Sequence, residues 1–288
     1  MAIQKESVRA RAARLYAPAV FTRADLLSTG IRGRDITRAV RQGRLRRLRR
    51  DRYALSSVDD EVAEAVRIGG RVSCVTLLRL IGVFVHVASG LHVHVIPGTS
   101  RIRAPLAKDT VLHWRAWSGH AGPRHAVPLI DALSHAVRCQ SPRAAIATLD
   151  SAMNQGLVTE TDLTAVFAAL PAKYRSLLAL VDASAGSGPE TFMRLILRGL
   201  GVSFETQVLI PGVGYVDFVV NGWLIIECDS REFHEGWQKQ VEDRRRDIAA
   251  ARQGYVTIRP LAADIMGDAA TVRRAVFDVI DAVGTRFR

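Results

Sequence analysis

The stretch Tyr215-Val216-Asp217-Phe218-Val219-Val220-Asn221-Gly222-Trp223-Leu224-Ile225-Ile226-Glu227-Cys228-Asp229 decides the reading of the C-terminal part of the chain. Two runs rich in β-branched and aromatic residues flank Asn221-Gly222, which predicts a β-hairpin. Its chemistry depends on register. A two-residue loop sets Val220 against Trp223 and Asp217 against Ile226, sending Asp217 and Glu227 to opposite faces. A three-residue loop, Val220-Asn221-Gly222 with Gly222 left-handed, sets Asp217 against Ile225 and makes Glu227 its diagonal neighbour. Diagonal residues lie about 7 to 8 Å apart, a span that two carboxylates on one Mg²⁺ can bridge. Carboxylates buried beside Leu224-Ile225-Ile226 are costly unless a cation or hydrogen bonds offset them. A lone strand-end acid is ordinarily exposed or paired with an arginine. The combination of Asp217, Glu227, Asp229 and the nearby His234 points instead to a divalent-ion site.

Asp217-Phe218, Glu227-Cys228-Asp229, Phe233-His234, Asp243, Arg246-Asp247 and Gly254-Tyr255-Val256 follow in order, after Gly188-Pro189-Glu190-Thr191 and an apolar helix. This series, within residues 185–288, resembles the Vsr-like branch of the restriction-endonuclease fold. The resemblance implies a PD-(D/E)xK core in which Asp217 and Glu227 hold Mg²⁺ or Mn²⁺, helped by the Cys228 backbone carbonyl and by Glu190. It also implies a phosphate contact for Arg246. The third motif position, usually lysine, is Asp229 here. Vsr-like members also lack that lysine and use histidines; His234 matches one of these positions, and Asp229 does not match the other. Glu190 has a second reading, as a first-turn acid favoured by the helix dipole, and both stay open. The expected order of helix, three strands, helix, strand and helix is that of an endonuclease-like α/β core with a mixed sheet.

Charge marks the other end of the chain. Residues 1–57 hold fifteen Lys or Arg against four Asp or Glu, a net of +11, so the remaining 231 residues carry only +1 of the total of +12. A basic footprint confined to one small region is expected of a nucleic-acid-binding module. Helices are expected over Lys5–Tyr16, after a Thr22 cap, and from about Arg32 to Gln42, with Ile36, Ala39 and Val40 inward and Arg34, Arg38 and Arg41 outward. Gly43 closes the third helix, and Arg46, Arg47, Arg49 and Arg50 then fall in a short hairpin. Two helices, a tight turn and an arginine-rich hairpin resemble a winged helix-turn-helix. The Arg38-to-Leu55 pattern with its Tyr53-Ala54-Leu55 ending is also similar to the N-terminal domain of AbiEi-like antitoxins of abortive-infection systems. Winged helices also dock proteins, but ten arginines against two aspartates between Arg32 and Arg52 favour DNA.

Residues 58–184 read as an α+β middle region, which the AbiEi resemblance describes as a scaffold or partner-binding region. A helix is expected over Val72–Leu80, strands at Leu91–Ile96 and Val111–Trp114, and helices from Leu129 to Ala179. Seven of the eight histidines lie between His86 and His135. His92-Val93-His94 alternates as half-exposed strand histidines do and shows no clear third ligand. Trp114 and Trp117 read as core or interface residues rather than base-stacking platforms. Cys74, Cys139 and Cys228, odd in number and widely spaced, suggest buried reduced thiols and imply no structural zinc. Ala183-Ser184-Ala185-Gly186-Ser187-Gly188 is of linker composition.

The sequence thus predicts a multidomain α/β protein: a winged helix-turn-helix (1–57), a middle domain (58–184) and a Vsr-like domain (185–288). A metal-dependent DNA endonuclease of repair or phage-defence type is expected, cytoplasmic and without membrane contact, with DNA and a possible defence- or repair-system protein as partners. The alternative is a DNA-binding regulator or type IV antitoxin-like protein on an inactive nuclease fold. An RNA or tRNA-end nuclease is a third reading.

Overall fold

The computed structural model describes residues 6–116, 118, 122–229 and 237–284. The fold is mixed α/β, with three sheets among the described residues. The chain divides into two units, Met1–Thr148 with Gln155–Ala179, and Leu149–Asn154 with Leu180–Arg288.

The first unit begins with α1 (Val8–Tyr16), capped by Ser7, whose hydroxyl accepts the Ala10 N–H. After β1 (Val20–Phe21) comes α2 (Arg23–Ser28), opened by a capping box in which Thr22 and Asp25 exchange bonds to each other's N–H. α3 (Gly33–Arg41) follows the Gly30 turn. β2 (Leu45–Arg49) and β3 (Arg52–Leu55) pair antiparallel in a sheet of order β1-β3-β2. Leu26, Ile36 and Tyr53 form one small core; Val20, Leu48 and Ala54 join Ala63 and Val66 of α4 (Asp60–Ile68) in another.

β4 (Arg71–Val72), β5 (His92–Val95) and β6 (Val111–Trp114) make a second sheet of order β4-β5-β6, antiparallel then parallel. Helix α5 starts at Cys74 and ends at Ile81, so the expected helix start at Val72 is instead the strand β4. α6 (Leu129–Cys139), α7 (Pro142–Asn154), α8 (Glu160–Ala168) and a 3-10 segment (Ala172–Leu180) follow. This region corrects three expectations. His92 and His94 are buried, since all of β5 lies inside, and are not half-exposed. Trp114, at the end of the edge strand β6, is 47% exposed, which overturns the core half of the core-or-interface expectation; Trp117 lies outside the described residues. Of the three free thiols Cys74 is buried, but Cys139, last residue of α6, is exposed.

In the second unit α9 (Gly188–Leu200) carries the Ser187 cap, and β7 (Phe204–Ile210), β8 (Gly214–Val220) and β9 (Leu224–Ile226) run antiparallel. α10 (Trp237–Arg252) returns the chain so that β10 (Val256–Ile258) pairs parallel to β9, giving the order β10-β9-β8-β7. α11 (Ala262–Gly267) and α12 (Ala269–Gly284) close the unit. Val216, Val219 and Ile225 pack with Ala250 of α10, while Phe218, Val220, Leu224 and Ile226 are equally buried. Burial on both faces explains why these strands read as continuous apolar runs.

The hairpin register differs from both expected versions. Asn221 (φ 51°) and Gly222 (φ 77°) are both left-handed, the Trp223 N–H bonds to the Val220 carbonyl, and Trp223 is the extra residue, so Val220 pairs with Leu224. The loop has three residues, Asn221-Gly222-Trp223, one position later than expected. Continuing the register beyond Phe218↔Ile226 puts Asp217 directly opposite Glu227 rather than diagonal to it.

Within the second unit a buried ion pair ties the C-terminal part of α7 to α9. Arg194 and Asp150 are each about 1% exposed and meet at 2.7 Å; Asp150 also accepts from Thr191 and the Asp182 N–H. Removing one partner strands the other charge, which costs about 3–5 kcal/mol. Asp150→Ala is therefore expected to destabilise the second unit by that amount, read as lower hydrogen-exchange protection of the α9 amides; unchanged protection would contradict this anchoring.

Candidate functional site

Three carboxylates gather in the second unit. Asp217 comes from β8, Glu227 from the residue after β9, and Glu190 from the first turn of α9. Asp217 Oδ2 accepts the Cys228 N–H at 2.8 Å, and the Glu227 N–H is held by the Ile258 carbonyl. Glu190, only 8% exposed, accepts the Gly186 N–H at 2.8 Å, so the glycine of the linker-like segment closes over it. Ser187 caps the same turn, so Glu190 is both a first-turn acid and a neighbour of Asp217.

Gln207 joins two of these acids. Its Nε2 donates to Glu190 Oε2 at 2.9 Å and to Asp217 Oδ1 at 3.3 Å. The β7–β8 ladder pairs Thr206 with Phe218 and Val208 with Val216 but skips Gln207 and Asp217, and Gln207 has φ 52°. A left-handed glutamine inside a strand costs on the order of 1 kcal/mol or more and persists only where its surroundings fix it. Nothing in the primary sequence marks Gln207. An unremarkable polar residue in a strand reads as a solvent-facing position until the ladder is seen.

Burial, and then the charge of Asp217, raise the carboxyl pKa of Glu190 and of Glu227. Burial also raises Asp217, against the lowering effects of the Cys228 N–H, Gln207 and two arginines. The Cys228 thiol is pushed up by burial and then by the charges of Asp217, Glu190 and Glu227. Opposing charge reaches Glu227 most closely: Arg246 contacts it at 3.1 Å and Arg259 at 3.6 Å, while Arg259 is also bound to Asp247 at 2.7 Å. Arg246 is fixed further by the Val213 and Tyr215 carbonyls. Hard carboxylate oxygens in a half-buried, acid-rich site suit Mg²⁺ or Mn²⁺. Among the described residues their oxygens are not drawn within one coordination sphere, and the arginines hold Glu227.

Asp229 lies two residues beyond Glu227, its backbone tied to the Pro260 carbonyl and the Ala262 N–H. His234 lies outside the described residues.

The basic residues define a second surface, in the first unit. Arg34, Arg38 and Arg41 on α3 are exposed, with Arg38 3.5 Å from Asp35. Arg41, Arg47 and Arg50 line a groove of about 500 Å³ along with Ile36, Val40 and Tyr53. Arg46 is instead bound to Asp60 at 2.7 Å, and Arg49 to the Arg101 carbonyl at 3.4 Å. A larger cavity of about 890 Å³ is lined by Arg49, Arg50, Arg52, Arg71, Arg103 and Arg124. Its middle-region arginines carry no signal in the sequence, because they lie in no run and are gathered only by the fold.

No protein-family model matches the chain, and no curated protein matches it.

The raised carboxyl values carry a pH signature. For each of the three acids the protonated form is the one favoured by folding. That stabilisation is complete below the ordinary carboxylate range near pH 4 and is lost as pH rises through the raised folded values. In metal-free buffer Asp217→Asn is therefore expected to melt above the wild type at pH 7, with the gap closing toward pH 4, as calorimetry of the full chain would record. Parallel profiles for the two proteins would contradict the raised carboxyl values.

Proposed function

We propose that the chain is a DNA-binding, metal-dependent phosphodiesterase, in which the first unit binds the nucleic acid and the second cuts it. The observation that carries this reading is the joining of Glu190 to Asp217 through Gln207, with Asp217 and Glu227 each one residue beyond the Phe218↔Ile226 pair of the β8–β9 ladder. On this reading the element order α9, β7–β9, α10, β10 is a PD-(D/E)xK-type nuclease core. The helices and hairpin of residues 1–57 are a winged helix-turn-helix that offers Arg34, Arg38, Arg41, Arg47 and Arg50 to phosphates.

Asp217 and Glu227, with the Cys228 carbonyl and Glu190, would hold Mg²⁺ or Mn²⁺. Such an ion supplies charge for the phosphoryl oxygens and a lowered pKa for water. The chain's own contribution is positional. Gln207 and the Cys228 N–H fix the Asp217 carboxylate, and the Ile258 carbonyl fixes the backbone of Glu227. Arg246, held by the Val213 carbonyl, brings a positive charge to the mouth of the site. Asp229 at the usual lysine position leaves His234 to move the proton.

A second reading is a DNA-binding regulator or antitoxin-like protein on a nuclease fold without activity. The contacts of Arg246 and Arg259 with Glu227 favour it, because they already compensate one of the acids.

Asp217→Asn separates the two. Metal-dependent cleavage of duplex, nicked, mismatched or single-stranded DNA should fall by at least about 100-fold, while DNA affinity stays at the wild-type level. Cleavage at the wild-type rate would overturn the site; no cleavage by either protein with intact duplex binding would favour the regulator. Replacing Arg34, Arg38 and Arg41 by glutamine should weaken binding evenly across sequences and lower the salt slope by roughly one for each phosphate left without its arginine. A change in sequence preference with an unchanged slope would contradict this placement of the interface.

A further inference from the structure

Four residues far apart in sequence meet in the first unit. Cys74 is the first residue of α5, His92 opens β5, His113 is the third residue of β6 and Cys139 ends α6. One ligand atom from each lies within 4.8 Å of every other. His92 Nδ1 is 3.0 Å from His113 Nε2, and Cys139 Sγ is 3.8 Å from the same His113 nitrogen. Zinc bonds of about 2.0 Å to nitrogen and 2.3 Å to sulfur give tetrahedral edges of about 3.3 to 3.8 Å. The observed separations bracket that range.

The neighbouring histidines behave differently. His94 is satisfied by the Arg115 carbonyl at 3.1 Å, and His135 by the Ser73 hydroxyl at 2.7 Å. His92 and His113 instead turn ring nitrogens toward each other, and an N···N contact of 3.0 Å holds at most one proton. At least one facing nitrogen is therefore a bare donor atom. His135 stacks on His113 with centroids 5.1 Å apart and planes within 5°, which fixes the ring; the His92 N–H bonds to Thr76 at 2.9 Å, which fixes the strand.

Cys74 adds an independent sign. It has φ 52°, a left-handed conformation that non-glycine residues rarely adopt and that has to be held by its surroundings. At this helix start the Cys74 thiol lies within 4.8 Å of a nitrogen of each ring and of the Cys139 sulfur.

We infer that Cys74, His92, His113 and Cys139 form a structural zinc site that ties α5, β5, β6 and α6 together. Two thiolates and two imidazoles are a soft, tetrahedral donor set, unlike the carboxylates of the second unit, and four protein ligands leave no open position for chemistry. The absence of a zinc knuckle in the sequence is explained by the fold: each ligand comes from a different element, and none is within about two to four residues of another as in a zinc finger.

The test uses the full chain. Metal content is measured after growth with zinc, and the stripped protein is then titrated with Co²⁺. One zinc per chain is expected, with one Co²⁺ giving tetrahedral ligand-field bands and a thiolate-to-cobalt charge-transfer band that zinc abolishes. Cys139→Ser, at an exposed helix end, should keep its circular dichroism, lose roughly half of the charge-transfer intensity, and bind at least the ~10-fold more weakly that even an outer-shell loss costs. Co²⁺ held by the carboxylates would give an oxygen-ligand spectrum with no thiolate band, so failure here is distinct from failure of the nuclease reading. A wild-type spectrum without that band, a band unchanged in Cys139→Ser, or air oxidation of Cys74 and Cys139 to a disulfide in a protein that takes up no metal would each overturn the zinc site.

Discussion

The second unit depends on how one hairpin resolves the burial of like charges. Asn221 and Gly222 take left-handed backbone, Trp223 becomes the extra residue, and the resulting register sets Asp217 opposite Glu227. Directly opposed like charges destabilise a strand pair, and burial makes that worse. The surrounding groups respond to it: Gln207 distorts its strand to donate to Asp217 and Glu190, the Cys228 N–H turns in, and Arg246 and Arg259 approach Glu227. This strain and repulsion are what motivate the proposed reading of these residues as a functional site.

Much of this is legible in the sequence, for identifiable reasons. Asn-Gly between apolar β-branched runs fixes a hairpin's existence, and Thr22 with Asp25, or Ser187 before Gly188-Pro189-Glu190, announces a helix start. The register is one residue off because turn chemistry does not say whether the extra residue precedes or follows Asn-Gly. Trp223, apolar and 8% exposed, passes for an ordinary strand residue. Helix α4 is absent from the sequence-based expectation after Ser56-Ser57-Val58, although Asp59 at its N-cap and Gly69 at its left-handed C-cap are readable signals.

The Cys/His group and Gln207 are illegible for a different reason. Neither forms a local pattern: the first is assembled from four elements, and the second gains its meaning from an interruption in a ladder. Alternation in His92-Val93-His94 correctly indicates a strand, yet the strand's burial comes from sheet order and from helices α5 and α6, which periodicity alone does not supply. The arginines split in the same way. A run predicts a basic surface, but only the fold distinguishes Arg41, Arg47 and Arg50, which share a groove, from Arg46 and Arg49, which are bound to Asp60 and to the Arg101 carbonyl.

The two units therefore differ in chemistry: soft thiolate and imidazole donors in the first, hard carboxylates in the second. Whether Asp217, Glu227 and Glu190 form an acid cluster that takes up a divalent cation is decided by calorimetric titration with Mn²⁺ near pH 6. Saturable binding is expected of the wild type and is not expected of Asp217→Asn. No saturable binding by the wild type, or identical titrations of the two proteins, would contradict the cluster.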